Sequence, residues 1–240
     1  MSFTTEHVDY TDEDVTCEAF VAYDDASASR KPCVLLAHDW SGRLSHIDEL
    51  TRGLARLGYV GFALDVYGKG VRGEVAGDNS RLMNPFMADR AKLARRLKAG
   101  SAAARAHKAV DPARVAVVGY CFGGLCALDL ARSGDEGLRG AVSIHGGLGP
   151  PGLGQQGPIS ASVLVLHGWE DPMAPPDAVL ALARELTEAG ADWQLHAYGH
   201  AMHAFTAPGL NFPERGLAYN ALADRRSGVA MRQFLEEVLA

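Results

Sequence analysis

The sequence has no long hydrophobic run. None of the apolar stretches in its 240 residues approaches the roughly 20 residues that a membrane-spanning helix requires. Residues 1–10 contain no basic segment followed by an apolar one, which is the pattern of a secretory signal. We therefore expect a cytoplasmic protein that does not interact with membranes.

Positive charge is also scarce. Lysine and arginine number 23 against 29 aspartates and glutamates, which gives a formal net charge of −6 at pH 7. Nucleic acids and anionic membranes bind proteins chiefly through clustered positive charge, so neither is expected as a partner.

Cysteine is sparse and is not arranged for metal binding. The four cysteines form neither a CxxC pair nor a zinc-ligand spacing with histidine. In a chain expected in the cytoplasm they are interpreted as reduced thiols. We predict no metal site and no cofactor.

Short apolar segments alternate with helix-compatible segments along nearly the whole chain. This alternation predicts an α/β protein with a mostly parallel sheet and helices on both faces. No internal repeat or long linker divides the sequence, so residues 1–240 are expected to form one domain. The apolar segments expected to form strands are residues 17–23 at a sheet edge, 33–38, 59–64, 115–118, 138–145, 162–167 and 193–198.

Two neighbouring regions depart from this alternation. Residues 66–84 combine several glycines with charges of both signs, which is typical of a surface loop that lines a pocket. Residues 85–107 are rich in alanine, leucine, arginine and lysine, and they are expected to form one long helix with Pro85 near its start.

One strand-to-helix transition has the spacing of a nucleophile elbow. The apolar residues 115–118 lead into Gly-Tyr-Cys-Phe-Gly-Gly at 119–124, which contains the pattern G-x-C-x-G with Cys121 in the nucleophile position. A strand that turns sharply into a helix crowds its own backbone, so the positions two before and two after the nucleophile must lack a β-carbon. The alternative is an ordinary glycine turn with a buried, unreactive cysteine.

Four chemically versatile side chains follow expected strands. Asp39, Cys121, Asp171 and His203 each lie just beyond the end of one, and ligands bind at the carboxyl edge of such sheets. A thiol benefits from a nearby base, and His203 is the candidate, with Asp171 to orient its ring. The order nucleophile, acid, histidine accompanies this elbow in catalytic triads. Asp171 as a helix cap and His200 as the base are alternatives.

A nucleophile of this kind also needs two backbone N–H groups to hold an oxyanion. Phe122 N–H, at the start of the helix after Cys121, is one candidate, and Trp40 N–H, in the loop after the second strand, is the other. Trp40 and Trp169 are alternatively core or pocket-wall residues. The histidines at three further strand ends, interpreted as packing or turn residues, are His38, His145 and His167.

The chain resembles the dienelactone hydrolase family. The motifs that carry the resemblance are Gly-Tyr-Cys-Phe-Gly-Gly at 119–124, His-Gly-x-x-Asp-Pro at 167–172, Tyr-x-x-x-x-His-x-Phe at 198–205 and the segment 58–67, within a match that covers residues 32–239. The resemblance implies an α/β-hydrolase fold. It also implies that Cys121 is the nucleophile, Asp171 the acid and His203, rather than His200, the base.

The resemblance extends to a further acidic position. Asp39 stands where the family has a glutamate that holds the resting thiol and helps to ionise it when substrate arrives. Asp39 is thereby implied to modulate the thiol of Cys121, although its side chain is one methylene shorter than that of glutamate. A loop-capping carboxylate is the alternative role.

The substrate-binding residues depart from the family pattern. Ala207 occupies the position, four residues after the histidine, where the type member of the family has an arginine that binds the substrate carboxylate. Arg43 and Arg81 are candidates to supply that charge, and Arg43 is close enough in sequence to pair with Asp39. Both arginines are alternatively solvated surface charges. Phe205 is a further candidate for substrate binding.

Together, these patterns predict a hydrolase that cleaves a small-molecule ester or lactone through an acyl-enzyme on Cys121. A thioesterase or a general carboxylesterase is an alternative within the same class. A protein that binds a carbonyl ligand without catalysis, or that senses oxidants through Cys121, is an alternative of another class. The simplest members of the family imply a monomer.

Overall fold

An eight-stranded sheet lies at the centre of the computed structural model, which describes residues 3–26, 29–75 and 77–240. Its strands are β1 Phe3–Asp12, β2 Val15–Asp24, β3 Lys31–Ala37, β4 Val60–Ala63, β5 Val110–Tyr120, β6 Leu138–Ile144, β7 Ser162–Gly168 and β8 Trp193–Tyr198. Their spatial order is β1-β2-β4-β3-β5-β6-β7-β8. The strands from β4 to β8 in this order run parallel, whereas β1 and β2 extend one edge in antiparallel fashion.

Helices cover both faces of this sheet. They are α1 Ser45–Arg56, α2 Ser80–Ala88, α3 Arg90–Ala106, α4 Phe122–Arg132, α5 Pro176–Glu188 and α6 Ala221–Val238. The helices α1 and α6 contribute Ile47 and Phe234 to the apolar cluster on one face. The helices α3, α4 and α5 contribute Leu97, Leu125 and Leu182 to the cluster on the other face.

The parallel strands are buried on both sides, which explains why their sequences are continuous apolar runs. In β5, the neighbouring residues Val117 and Val118 belong to the clusters on opposite faces, and both are almost inaccessible to solvent. The predicted α/β architecture, a mostly parallel sheet with helices on both faces, is confirmed.

The edge of the sheet differs from the prediction. Residues 17–23 do form a strand within β2, but β1 pairs with β2 along its whole length and is itself the edge strand. Exposed and partly buried residues alternate along most of β1. A half-exposed, polar edge strand has no continuous apolar run, so the pattern that identifies the inner strands does not identify this one.

The single helix expected over residues 85–107 is two helices. The break falls at Asp89, whose backbone is not helical and whose carboxylate accepts a hydrogen bond from Lys92 N–H, so that it caps α3. Pro85 lies inside α2, which begins at Ser80 within the segment expected to be a loop.

A small hairpin precedes the last helix. Its strands are β9 Asn211–Phe212 and β10 Leu217–Ala218, joined by a 3₁₀ turn over Pro213–Arg215. We call this element the 211–218 hairpin. Across residues 3–26, 29–75 and 77–240, no helix combines the length and apolar character needed to cross a membrane.

Candidate active site

Cys121 occupies a strained turn between β5 and α4. Its backbone has φ of +55° and ψ of −118°, a conformation that costs a non-glycine residue of order 1–3 kcal/mol. A β-carbon on Gly119 would overlap the carbonyl oxygen of Gly123, and one on Gly123 would overlap the carbonyl oxygen of Ala37. The crowding expected around the nucleophile of an elbow is therefore present, and it leaves the Cys121 side chain partly exposed.

Two hydrogen bonds connect the acid, the histidine and the thiol. His203 Nδ1 lies 2.8 Å from Asp171 Oδ2, and His203 Nε2 lies 3.2 Å from Cys121 Sγ. Asp171 and His203 are buried, and the other carboxylate oxygen of Asp171 accepts the N–H of Met173 at 2.8 Å. The structure thus brings together the three residues selected from the sequence, which follow the carboxyl ends of three different strands, β5, β7 and β8.

The alternatives for the acid and the base have other positions. The helix α5 starts at Pro176 with Pro175 as its N-cap residue, so Asp171 does not cap it. His200 is exposed, and its Nδ1 lies 3.1 Å from Oε1 of Glu170. The geometry favours His203 as the partner of the thiol.

The protonation of His203 is governed by its two partners. Burial by itself lowers the pKa of an imidazole, but the hydrogen bonds with Asp171 and Cys121 outweigh it and raise the pKa of His203 to about 10. A histidine held in this way favours the imidazolium form. That form stabilises a thiolate beside it and can later donate its proton to a leaving group.

The two expected oxyanion donors are available. Phe122 is the first residue of α4, so its N–H has no acceptor within the helix. Within the described part of the chain, neither Phe122 N–H nor Trp40 N–H donates to a protein acceptor. The carbonyl of Trp40 accepts the Tyr67 hydroxyl at 2.9 Å, which anchors the loop after β3.

His145, expected from the sequence to be a packing or turn residue, contacts Cys121. Its Nδ1 accepts the N–H of Cys121 at 3.2 Å, and its Nε2 donates to the Thr206 hydroxyl at 2.8 Å. Burial and the nearby charge of His203 lower the pKa of His145 well below its usual value, so the ring is neutral. The available signal was its place directly after β6, at the same sheet edge as Cys121, Asp171 and His203.

Asp39 is engaged by its own loop. Its Oδ1 accepts hydrogen bonds from the N–H and the hydroxyl of Ser41, and its Oδ2 lies 2.7 Å from His46 Nε2. Burial raises the pKa of a carboxyl group, but these bonds outweigh it and keep the pKa of Asp39 low. Among the described residues, no hydrogen bond joins Asp39 to Cys121; the carboxylate instead fixes the turn that carries Trp40.

The candidate substrate-binding residues are dispersed. Arg43 does not pair with Asp39, because its buried guanidinium binds Glu18 at 2.6 Å and Asp48 at 2.8 Å, which removes it from contact with a ligand. Phe205 is fully buried against His145 and so presents no surface to a substrate. Arg81 is exposed on α2 and stays a candidate. The two remaining strand-end histidines, His38 and His167, are buried.

Comparison with known proteins identifies relatives over the whole chain. The model of the dienelactone hydrolase family matches residues 17–239. A crystal structure described as a dienelactone hydrolase-like promiscuous phosphotriesterase from metagenomic libraries is 35% identical, covers 100% of both chains and has a TM-score of 0.93. A putative carboxymethylenebutenolidase of Aquifex aeolicus is 28% identical over 180 residues, which are 72% of this chain and 76% of that protein.

More distant structures share the fold alone. An α/β-hydrolase enzyme from a Medee basin deep-sea metagenome library is 19% identical, with a TM-score of 0.67 over 98% of both chains. The α/β-hydrolase fold implied by the sequence motifs is confirmed.

The pH dependence should reveal the coupling of Asp171 to His203. Asp171→Asn removes the charge that raises the pKa of His203, so the imidazolium should deprotonate at lower pH. We expect the alkaline limb of the kcat/KM profile to move to lower pH. We also expect kcat to fall by up to about 10⁴-fold, as in serine triads whose acid becomes an amide. Glu170→Gln, which changes only the partner of exposed His200, is the control. An unmoved alkaline limb would contradict the coupling.

Substitution of Asp39 separates a loop role from a thiol role. Asp39→Asn should loosen the turn that carries Trp40 and lower kcat by up to about 10²-fold, the scale of one lost oxyanion donor. If the effect passes through the loop, the rate at which iodoacetamide alkylates Cys121 should stay unchanged at each pH. A changed alkylation profile would instead support modulation of the thiol. Asp111→Asn is a matched control, because Asp111 forms the same type of turn with Ala113, outside the site.

Proposed function

Since the chain belongs to the dienelactone hydrolase family, we propose that it hydrolyses a small-molecule carboxylic ester or lactone through a thioester on Cys121. The observation that carries the proposal is the continuous hydrogen-bonded chain from Asp171 through His203 to Cys121 Sγ. The strained elbow supports it, because a merely structural cysteine gives no reason to maintain such a backbone conformation next to an oriented base.

Acylation follows from the positions of these groups. The Cys121 thiolate attacks the carbonyl carbon, and Phe122 N–H and Trp40 N–H hold the negative oxygen of the tetrahedral intermediate. When the intermediate collapses, the bond to the leaving oxygen breaks and the His203 imidazolium donates its proton to that oxygen. A lactone opens at this step, so its alcohol stays attached to the acyl group.

Deacylation uses the same residues in reverse. His203, now neutral, takes a proton from a water molecule, and the resulting hydroxide attacks the thioester carbonyl. The carbon–sulfur bond breaks, the acid leaves, and the thiolate regains its imidazolium partner. Asp171 keeps the Nδ1–H of His203 pointed at itself throughout, so that Nε2 always faces the sulfur.

The substrate need not carry a carboxylate. Ala207 provides no charge at the position of the family arginine, and Arg43 is occupied by Glu18 and Asp48. Arg81 is the exposed cation that we retain as a candidate for binding an anionic group. We therefore place neutral short-chain esters and lactones first, with thioesters as alternatives that the same site would accept.

Phosphotriester hydrolysis is a second candidate activity. It is favoured by the 35% identity and the TM-score of 0.93 to a protein described as a promiscuous phosphotriesterase. In that reaction the Cys121 thiolate would attack phosphorus, and the two backbone N–H groups would hold the phosphoryl oxygen instead of a carbonyl oxygen. The bond from phosphorus to one ester oxygen would break, and the His203 imidazolium would donate its proton to the alcohol that leaves.

The proposal predicts that ester cleavage depends on the thiol and on its base. Cys121→Ala and His203→Ala should each lower kcat/KM toward p-nitrophenyl acetate by about 10³-fold or more, the scale of triad removal in related chemistry. Mass spectrometry of the quenched wild-type reaction should show one acetyl group on Cys121. Cys126→Ala, which removes a buried thiol on α4, should retain activity if it folds.

A panel of lactones, thioesters and a neutral phosphotriester in the same assay then ranks the substrate classes. Activity that survives Cys121→Ala would overturn the thiol mechanism. Folded wild-type protein that is inert toward the whole panel would favour the alternative in which Cys121 binds a carbonyl ligand or responds to oxidants.

A further inference from the structure

The catalytic base is held by the 211–218 hairpin. His203 lies in the loop between β8 and the hairpin, outside the main sheet. Its N–H donates to the carbonyl of Gly216 at 3.0 Å, and its carbonyl accepts the N–H of Ala218 at 3.3 Å. Both the N–H and the carbonyl of His203 are therefore hydrogen-bonded to this short segment. His203 and Leu217 form an isolated parallel β-bridge.

The same segment touches the chain beside the catalytic acid. Gly216 has φ of +71°, and its α-carbon faces the ring of Pro172, the residue directly after Asp171. A β-carbon at Gly216 would overlap both Cγ and Cδ of Pro172, whereas it would lie 3.6 Å from Cβ of Pro172. The carbonyl of Gly216 thus binds His203, and the α-carbon of Gly216 packs against the loop that carries Asp171.

A glycine is required at this position for two separable reasons. The first is the left-handed backbone conformation, which L-residues with a β-carbon adopt reluctantly. The second is the close approach to Pro172, which leaves no room for a methyl group. Gly209, in the loop just before the hairpin, shares only the first reason: its φ is +83°, but a β-carbon there would meet nothing within 4 Å.

We propose that Gly216 is a positioning residue for the triad, which sets the separation of His203 from Asp171 through its contact with Pro172. The proposal rests on the proposed function. A methyl group at Gly216 would push the hairpin away from Pro172 and draw the His203 backbone with it. Displacements near 1 Å at a reacting centre can cost about 10²-fold in rate.

The test compares Gly216→Ala with Gly209→Ala. Gly216→Ala should lower kcat by about 10- to 100-fold with KM nearly unchanged, because the base moves while the binding surface stays. The alkaline limb of the kcat/KM profile of this variant should also move to lower pH. A longer hydrogen bond between His203 and Asp171 raises the pKa of His203 less than the wild-type bond does. Gly209→Ala, which also places an alanine at positive φ, should keep kcat within about twofold and leave the pH profile unmoved.

Rescue distinguishes positioning from general damage. Pro172→Ala removes both overlapping atoms, Cγ and Cδ, and keeps Cβ, so the double variant Gly216→Ala/Pro172→Ala should recover most of the lost kcat and the wild-type pH profile. Equal losses in Gly216→Ala and Gly209→Ala would overturn the proposal, and so would an absence of rescue.

The outcome is separable from that of the proposed function. Failure of the function would appear in the wild type, as inactivity or as activity that survives Cys121→Ala. If Gly216→Ala does not fold, Pro172→Ala alone opens the contact from the other side. It should lower kcat severalfold with the same shift of the alkaline limb, relative to the nearby control Pro175→Ala. No difference between these two proline variants would then reject the proposal.

Discussion

The hydrogen-bonded chain from Asp171 through His203 to Cys121 depends on backbone segments that approach one another closely. The elbow brings Gly123 against the carbonyl of Ala37, so that β5 and α4 meet at an angle that exposes the thiol. Two backbone hydrogen bonds join the loop that carries Asp171 to the loop that carries His203. Trp169 N–H donates to the Tyr198 carbonyl, and Glu170 N–H donates to the Ala201 carbonyl. These contacts leave little freedom to the loops, so the geometry of the site is a property of the backbone.

The pKa values of two neighbouring histidines are shifted in opposite directions in this site. The ring of His145 is 5.3 Å from the ring of His203, yet the pKa of His145 is lowered and that of His203 is raised. The difference lies in their partners, because His203 bonds to the carboxylate of Asp171, whereas His145 bonds to a backbone N–H and a hydroxyl group. A neutral His145 can accept the N–H of Cys121 without placing a second positive charge beside the thiol.

How much of the structure could be predicted from the sequence depends on whether the interactions that determine it are local or join distant parts of the chain. The inner strands and the elbow were predictable because apolar runs and glycine spacing express local constraints. The edge strand β1 lacks such a run, and the break at Asp89 depends on a cap that resembles any other polar residue in a helical segment. The partner of Arg43 was not predictable, since Glu18 comes from β2 and the contact depends on tertiary packing. The partners of Asp39, Ser41 and His46, lie nearby in the sequence, but their spacing alone does not show which polar side chains of a loop will bind one another.

The different use of position 39 has a consequence for how the thiolate is stabilised. The Asp39 carboxylate already accepts hydrogen bonds from Ser41 and lies within hydrogen-bonding distance of His46. To reach the thiol, it would have to give up bonds that are worth about 1.5–3 kcal/mol each for a charged acceptor. The thiolate can instead be stabilised by His203, which is already 3.2 Å from the sulfur and whose imidazolium form is favoured by Asp171. Under the proposed function, the carboxylate after β3 then supports the loop that carries Trp40, and the charge at the sulfur is balanced by His203 and Asp171.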